Sequence, residues 1–244
     1  MAKTTVKGWK KKTEKGTAAD TKPSREGAGE RTKVIRNSEG FQYLSERCFL
    51  LPGGQFTNGK GLCPFGGFAI DPDRPSTLYN VTAEHCGQVG DPVYLQDSQG
   101  QDVLVGEFVA STGDALDDGE DWAVIELFYG ADDYQPTVEN VEIAGWVPDE
   151  ELREGNMVCS LGYRSGVTCG EFVEPIGDHS FLAIGIRDHG DSGGPVWAVD
   201  PNDGSMWAVG VTSWGRVDDA IGSRYASIQP AMDKYGLKLV TRAG

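Results

Sequence analysis

The chain has 244 residues, 34 of them glycine, and a formal net charge of −15. That length suits one large all-β domain or an enzyme of two small lobes. No run of 18 or more apolar residues marks a membrane-crossing helix, and an acidic chain is not the footprint of a nucleic-acid-binding core.

The charge is unevenly placed. Residues 1–36 carry 11 Lys and Arg against 4 Asp and Glu, leaving 11 against 33 in the remainder. With Lys10-Lys11-Lys12, one large anchor at Trp9 and almost no apolar periodicity, this stretch reads as a basic, disordered tail. Such a tail is suited to docking on an acidic partner or a larger assembly. The apolar core of an ordinary secretory signal is missing from it. The expected setting is nevertheless extracellular or assembly-associated, for example in a virion, because paired cysteines among the five suggest an oxidising environment.

From residue 37 the chain reads as short strands broken by turns. Order is expected to begin near Val34 or at Phe41. Cys48-Phe49-Leu50-Leu51 precedes a turn-rich loop from Pro52 to Gly61. A strand follows over Cys63–Ile70, then a turn with two prolines from Asp71 to Ser76. A second strand, Thr77–Ala83, leads into Glu84-His85-Cys86. Strands continue over Pro92–Leu95 and Val103–Val109. The acidic loop of Asp114, Asp117, Asp118 and Glu120 lacks the EF-hand ligand pattern, and no metal or organic cofactor is expected. Asp121 opens the β-rich run Trp122–Leu127. Residues 130–145 read as a crossing. The rhythm resumes at Ala144–Trp146, Met157–Cys159, Cys169–Val173 and Phe181–Ile184. No Cys-x-x-Cys with matching histidines indicates zinc.

Three stretches carry chemistry: Val81-Thr82-Ala83-Glu84-His85-Cys86, Asp121-Trp122-Ala123-Val124-Ile125 and Gly190-Asp191-Ser192-Gly193-Gly194-Pro195. They supply a histidine, an aspartate and a serine. A serine hydroxyl is a weak nucleophile until a histidine takes its proton, and a carboxylate can hold that histidine in the right tautomer. A glycine-flanked serine can also present its hydroxyl beside backbone N–H groups aimed at one point, as an oxyanion hole requires.

In these motifs the sequence resembles the chymotrypsin-like serine proteases, over about residues 45–240. The segment Cys159-Ser-Leu-Gly-Tyr-Arg-Ser-Gly-Val-Thr-Cys169 and the ending Gln229–Leu237 look like the bacterial streptogrisin and α-lytic branch. The resemblance implies an all-β fold of two six-stranded antiparallel barrels with a short closing helix, divided at 37–135 and 136–244. It implies a serine endopeptidase acting on polypeptides, with Ser192 as nucleophile, His85 as general base and Asp121 as its orienting carboxylate. The oxyanion hole would come from the N–H groups of Gly190 and Ser192. The disulfides it implies are Cys63–Cys86 and Cys159–Cys169, with Cys48 left over.

The resemblance also places a substrate-docking strand at Ser213-Trp214-Gly215. The specificity pocket would be lined by Ile186, Arg187, Asp188 and His189, with Arg216, Ser223 and Arg224 opposite. Ile186 stands where an acidic floor would read Lys or Arg. Arg187 and His189 would suit an acidic side chain; an Arg187–Asp188 pair would leave an apolar pocket, the reading favoured by sequence. His179 and His189 read as surface or pocket residues outside the triad. Three features depart from the pattern. Glu84 replaces a small residue, where it faces solvent or perturbs His85. The basic tail has no counterpart. Ser160 stands where the bacterial branch has an arginine to neutralise the buried aspartate, which makes Arg164 the substitute partner for Asp191. The alternative function is an inactive, protease-fold binding component of a larger assembly, docked by residues 1–36.

Overall fold

A computed structural model describes residues 35–37, 39–113, 120–130, 138, 141–213 and 222–241. Residues 1–34 of the expected 1–36 tail, most of the acidic loop, and Trp214, Gly215 and Arg216 lie outside the described residues, while the tail's last two residues, Ile35 and Arg36, lie in a strand. The strands are β1 (Ile35–Asn37), β2 (Gln55–Thr57), β3 (Leu62–Pro64), β4 (Gly67–Asp71), β5 (Arg74–Thr82), β6 (Pro92–Gln96), β7 (Asp102–Ser111) and β8 (Ala123–Leu127), then β9 (Ile143–Trp146), β10 (Met157–Gly162), β11 (Gly166–Pro175), β12 (Ser180–Ile184), β13 (Pro195–Val199), β14 (Met206–Thr212), β15 (Gly222–Ser227) and β16 (Lys238–Leu239). Among the described residues one α-helix, α1 (Gln229–Tyr235), lies near the C-terminus.

The strands form two sheets. In the first, the order β16-β4-β5-β8-β7-β6-β2-β3 makes a curled half-barrel. In the second, β11 pairs with both β10 and β12, which closes β10-β13-β14-β15-β12-β11 into a six-stranded barrel. Thus the all-β double-barrel architecture holds, with the second lobe closed and the first a curled sheet. The long first-sheet strands follow the two-residue side-chain period: in β6, Val93 and Leu95 are buried and alternate with half-buried neighbours. Where one strand is expected over 63–70, two are observed. The run divides into β3 and β4 because Gly66 meets backbone there. A Cβ on Gly66 would lie 2.0 Å from the Val81 carbonyl oxygen.

β13 has three consecutive buried residues, which hides its alternation. Val196 and Ala198 face the barrel interior with Phe181 and Tyr225. Trp197 points the other way, into a separate cluster with Leu44, Leu51 and Leu161. Both faces of the strand are therefore covered. α1 has Pro230 in its first turn and Gly236 at its end with φ +62°. Both signals favour a short helix that stops there. Its Ala231 and Met232 pack in the core of the first lobe, and β16 then pairs with β4. The C-terminal segment therefore ties the second lobe to the first. Ile35–Asn37 makes the opposite tie at the other end, as β1 pairs with β11 opposite Val167–Cys169.

Candidate active site

The site lies where the two lobes meet. β5 and β8 are antiparallel neighbours with Thr82 opposite Ala123. His85 is three residues beyond Thr82, and Asp121 two residues before Ala123, so the register brings them together. His85 sits on a single 3-10 turn, Glu84–Cys86, held by the Cys63–Cys86 disulfide. The second disulfide, Cys159–Cys169, links residues directly opposite each other on β10 and β11. Cys48 is free and exposed.

Asp121 is 1% exposed. Its carboxylate accepts from His85 Nδ1 at 2.9 Å (Oδ2), and from the His85 backbone N–H at 3.2 Å (Oδ1). The Ser213 hydroxyl also donates to Oδ2. Burial alone would push this carboxyl up; the hydrogen bonds and charge of His85, with the Ser213 bond, reverse that and hold it below the ordinary carboxylate value. The His85 pKa is correspondingly raised. Partial desolvation disfavours the imidazolium, but the hydrogen bond and charge of Asp121, helped by Glu84, outweigh it, while Arg187 acts in the opposite sense. Glu84 is half-buried and acts on His85 through its charge.

Ser192 comes from the second lobe, on the loop before β13. Thr82 Oγ1 reaches across the lobes to donate to the Gly193 carbonyl at 3.3 Å, and the Gly193 N–H donates to Thr212 O at 2.7 Å. The disulfide sulfur of Cys86 lies 3.3 Å from the Ser192 carbonyl oxygen. Ser192 Oγ donates to the Ser213 carbonyl at 3.4 Å. Among the described residues its hydroxyl makes no hydrogen bond to His85. In the same loop the N–H groups of Asp191, Gly193 and Gly194 all donate to carbonyls. Those of Gly190 and Ser192 have no protein acceptor among the described residues. Gly190 has φ +104°, and a Cβ there would meet the Tyr163 hydroxyl at 2.3 Å. Only glycine gives that backbone at low cost.

Asp191 is 2% exposed, and its partners differ from the sequence expectation. Oδ1 accepts from the backbone N–H groups of Arg164 (2.9 Å) and Ser165 (3.3 Å), and Oδ2 from the Asp188 N–H at 2.8 Å. The Arg164 side chain, expected as the counter-ion, belongs to an exposed residue. Backbone donors stabilise a buried carboxylate without a cation. The carboxylate also fills the space above Gly162, where a Cβ would sit 2.0 Å from Oδ1. Gly162→Ala is therefore expected to displace Asp191 and the Ser192 loop, with a loss of about 1–3 kcal/mol of stability. Denaturant unfolding and hydrolysis measured on the same sample would check this; an unchanged midpoint with full activity would contradict it.

A cleft of about 950 Å³ runs past His85, Ser192 and Ser213 to Gly185–Gly190 and Ser223. Ile186, expected at the pocket floor, is 40% exposed. Arg187 turns inward instead: its Nη1 donates to the carbonyls of Ser213 (2.8 Å) and Arg224 (2.9 Å). Among the described residues, Asp188 makes no ion pair with it. His189 is exposed on the cleft wall, whereas His179 lies away from it, near Asp149 and Glu120. The role of Ser213 was not legible in the sequence: its hydroxyl serves Asp121 and its carbonyl serves both Ser192 and Arg187.

Comparison with known proteins identifies the fold. Thermobifida fusca protease A superposes with a TM-score of 0.58 at 23% identity, covering 80% of this chain and all of that one. Nocardiopsis protease gives 0.57 at 23% identity, with the same coverage. The chain thus has the fold of the bacterial chymotrypsin-like serine proteases. In sequence, an uncharacterized protein of Mycobacterium tuberculosis is 29% identical over 197 residues, 75% of this chain and 83% of the relative. No protein-family model matches the chain.

Proposed function

We propose that this protein is a serine endopeptidase that cleaves polypeptides through an acyl-enzyme intermediate. The observation that carries the reading is the Asp121–His85 hydrogen bond in the cleft beside Ser192, with the N–H groups of Gly190 and Ser192 lacking an acceptor among the described residues. In the proposed reaction Ser192 Oγ attacks the scissile carbonyl carbon while His85 Nε2 takes the hydroxyl proton. Asp121 holds Nδ1–H and stabilises the imidazolium. The carbonyl oxygen gains charge and is bound by the N–H groups of Gly190 and Ser192, a contribution of about 3–4 kcal/mol per donor in comparable sites. The C–N bond breaks as His85 returns the proton to the leaving amine. Water then repeats the sequence on the ester and frees Ser192. Ser192 must rotate from the Ser213 carbonyl towards His85, an adjustment common on substrate binding.

The two disulfides fit an oxidising compartment, consistent with a secreted protein. Mixing the enzyme with a p-nitrophenyl ester tests the reading. A burst of about one equivalent of nitrophenol, then a slower steady rate, is the fingerprint of a covalent intermediate. Absence of both burst and turnover in folded protein would count against it.

A further inference from the structure

Arg187 lies in the cleft that holds His85 and Ser192, and among the described residues its charge has no counter-ion in contact. Nη1 is fixed on two main-chain carbonyls, while Nη2 is buried and has no hydrogen-bond partner. Among the described residues no carboxylate lies within 4.0 Å of the guanidinium. Three acidic groups act on it through charge: the buried Tyr225 phenol, Asp191, bound by three N–H groups, and Asp121, engaged with His85. Burial disfavours the charged guanidinium, consistent with a site short of anionic contacts. A buried cation without a partner is costly. A cost of this kind in a substrate cleft is relieved when the ligand supplies the missing charge.

From this arrangement we infer that Arg187 is the specificity-determining residue of the cleft and that it selects an acidic side chain, glutamate or aspartate, at the residue whose carbonyl Ser192 attacks. The inference rests on the serine-endopeptidase reading for the location of that carbonyl. It reverses the sequence expectation of an apolar pocket, because the side chain expected to pair with Asp188 instead reaches the strand carbonyls. Arg187 lines the cleft, and the anchoring of Nη1 holds its guanidinium in place, so little arginine side-chain freedom is lost when a carboxylate reaches it. The net charge of −15 opposes acidic peptides at long range. Salt screens that repulsion beyond about 8 Å at physiological strength, whereas the buried contact is screened far less. The sequence left both readings open, since Arg187 could pair with Asp188 until the fold turns it onto the carbonyls of Ser213 and Arg224.

The test uses two peptides identical except for Glu or Gln at the cleavage position. On the wild-type protein, kcat/KM is expected to favour Glu by about 30-fold or more, the usual scale for a buried charge contact. Arg187→Gln is expected to bring the ratio near one, and Arg187→Lys to restore part of it. A binding arm separates this inference from the catalytic one. Ser192→Ala, which cannot turn over, is titrated with the same intact peptides by calorimetry. Tighter binding of the Glu peptide supports the pocket even if the wild-type chain proves inert. A wild-type enzyme that hydrolyses the Gln peptide as well as the Glu peptide overturns the inference and leaves the endopeptidase reading standing. Equal binding of the two peptides to Ser192→Ala overturns it as well.

Discussion

Ser192→Ala is expected to lower peptide hydrolysis by about a million-fold, with the fold intact. If Ser192 is the nucleophile, as proposed, its removal leaves only the contribution of the oxyanion hole and substrate binding. The side chain is half-buried at the cleft wall and its hydroxyl makes one long bond to a carbonyl, so its loss leaves no unpaired partner of consequence. Thermal unfolding within a degree or two of wild type is therefore expected. The pairing of a large kinetic effect with a small structural one is what identifies a reacting group. An activity loss matched by a collapsed unfolding temperature would instead mark Ser192 as structural.

Asp121→Asn is expected to cost about 10⁴-fold in kcat, because the amide favours the wrong imidazole tautomer. It should also move the acid limb of the pH profile. In the proposed mechanism His85 must be neutral to accept the serine proton, so activity is expected to rise as pH passes through its pKa. In the wild type Asp121 holds that pKa above 6.5. With asparagine the limb should move to lower pH. Stability changes should follow the same pair. The Asp121 carboxyl has a folded pKa below 3.8, so its contribution is present above that pH and lost as pH falls through the lowered value. The His85 contribution is present below 6.5 and lost as pH rises through the raised value. The gap between wild type and Asp121→Asn in chemical denaturation should therefore be widest between those values. An unmoved acid limb, or a gap that grows at alkaline pH, would contradict this electrostatic account.

How much of this was legible before the fold was known depends on the kind of interaction. His85, Asp121 and Ser192 could be selected because each sits in a motif with its own local chemistry, and the strand register then brings His85 against Asp121. The disulfides followed from resemblance rather than spacing. The strands with one covered face, such as β6, show in the alternation of apolar residues. β13 was hidden because both its faces are buried. The partners of Asp191 were not legible because backbone N–H groups carry no sequence signature. A search for a charged partner therefore reached Arg164 at the right position but through the wrong group. Ser213 was missed as a partner of Asp121 for a related reason: a serine 92 residues away becomes a neighbour only when the lobes close on each other.

The most direct test of the catalytic assignment is labelling of the purified chain with a fluorophosphonate, followed by mass spectrometry of the modified peptide. The account predicts one phosphonyl group per chain, on Ser192, with the labelling rate reduced at least about a hundredfold in His85→Ala, the scale of general-base assistance. Folded wild-type protein that stays unlabelled, or that is labelled elsewhere with no dependence on His85, would contradict it.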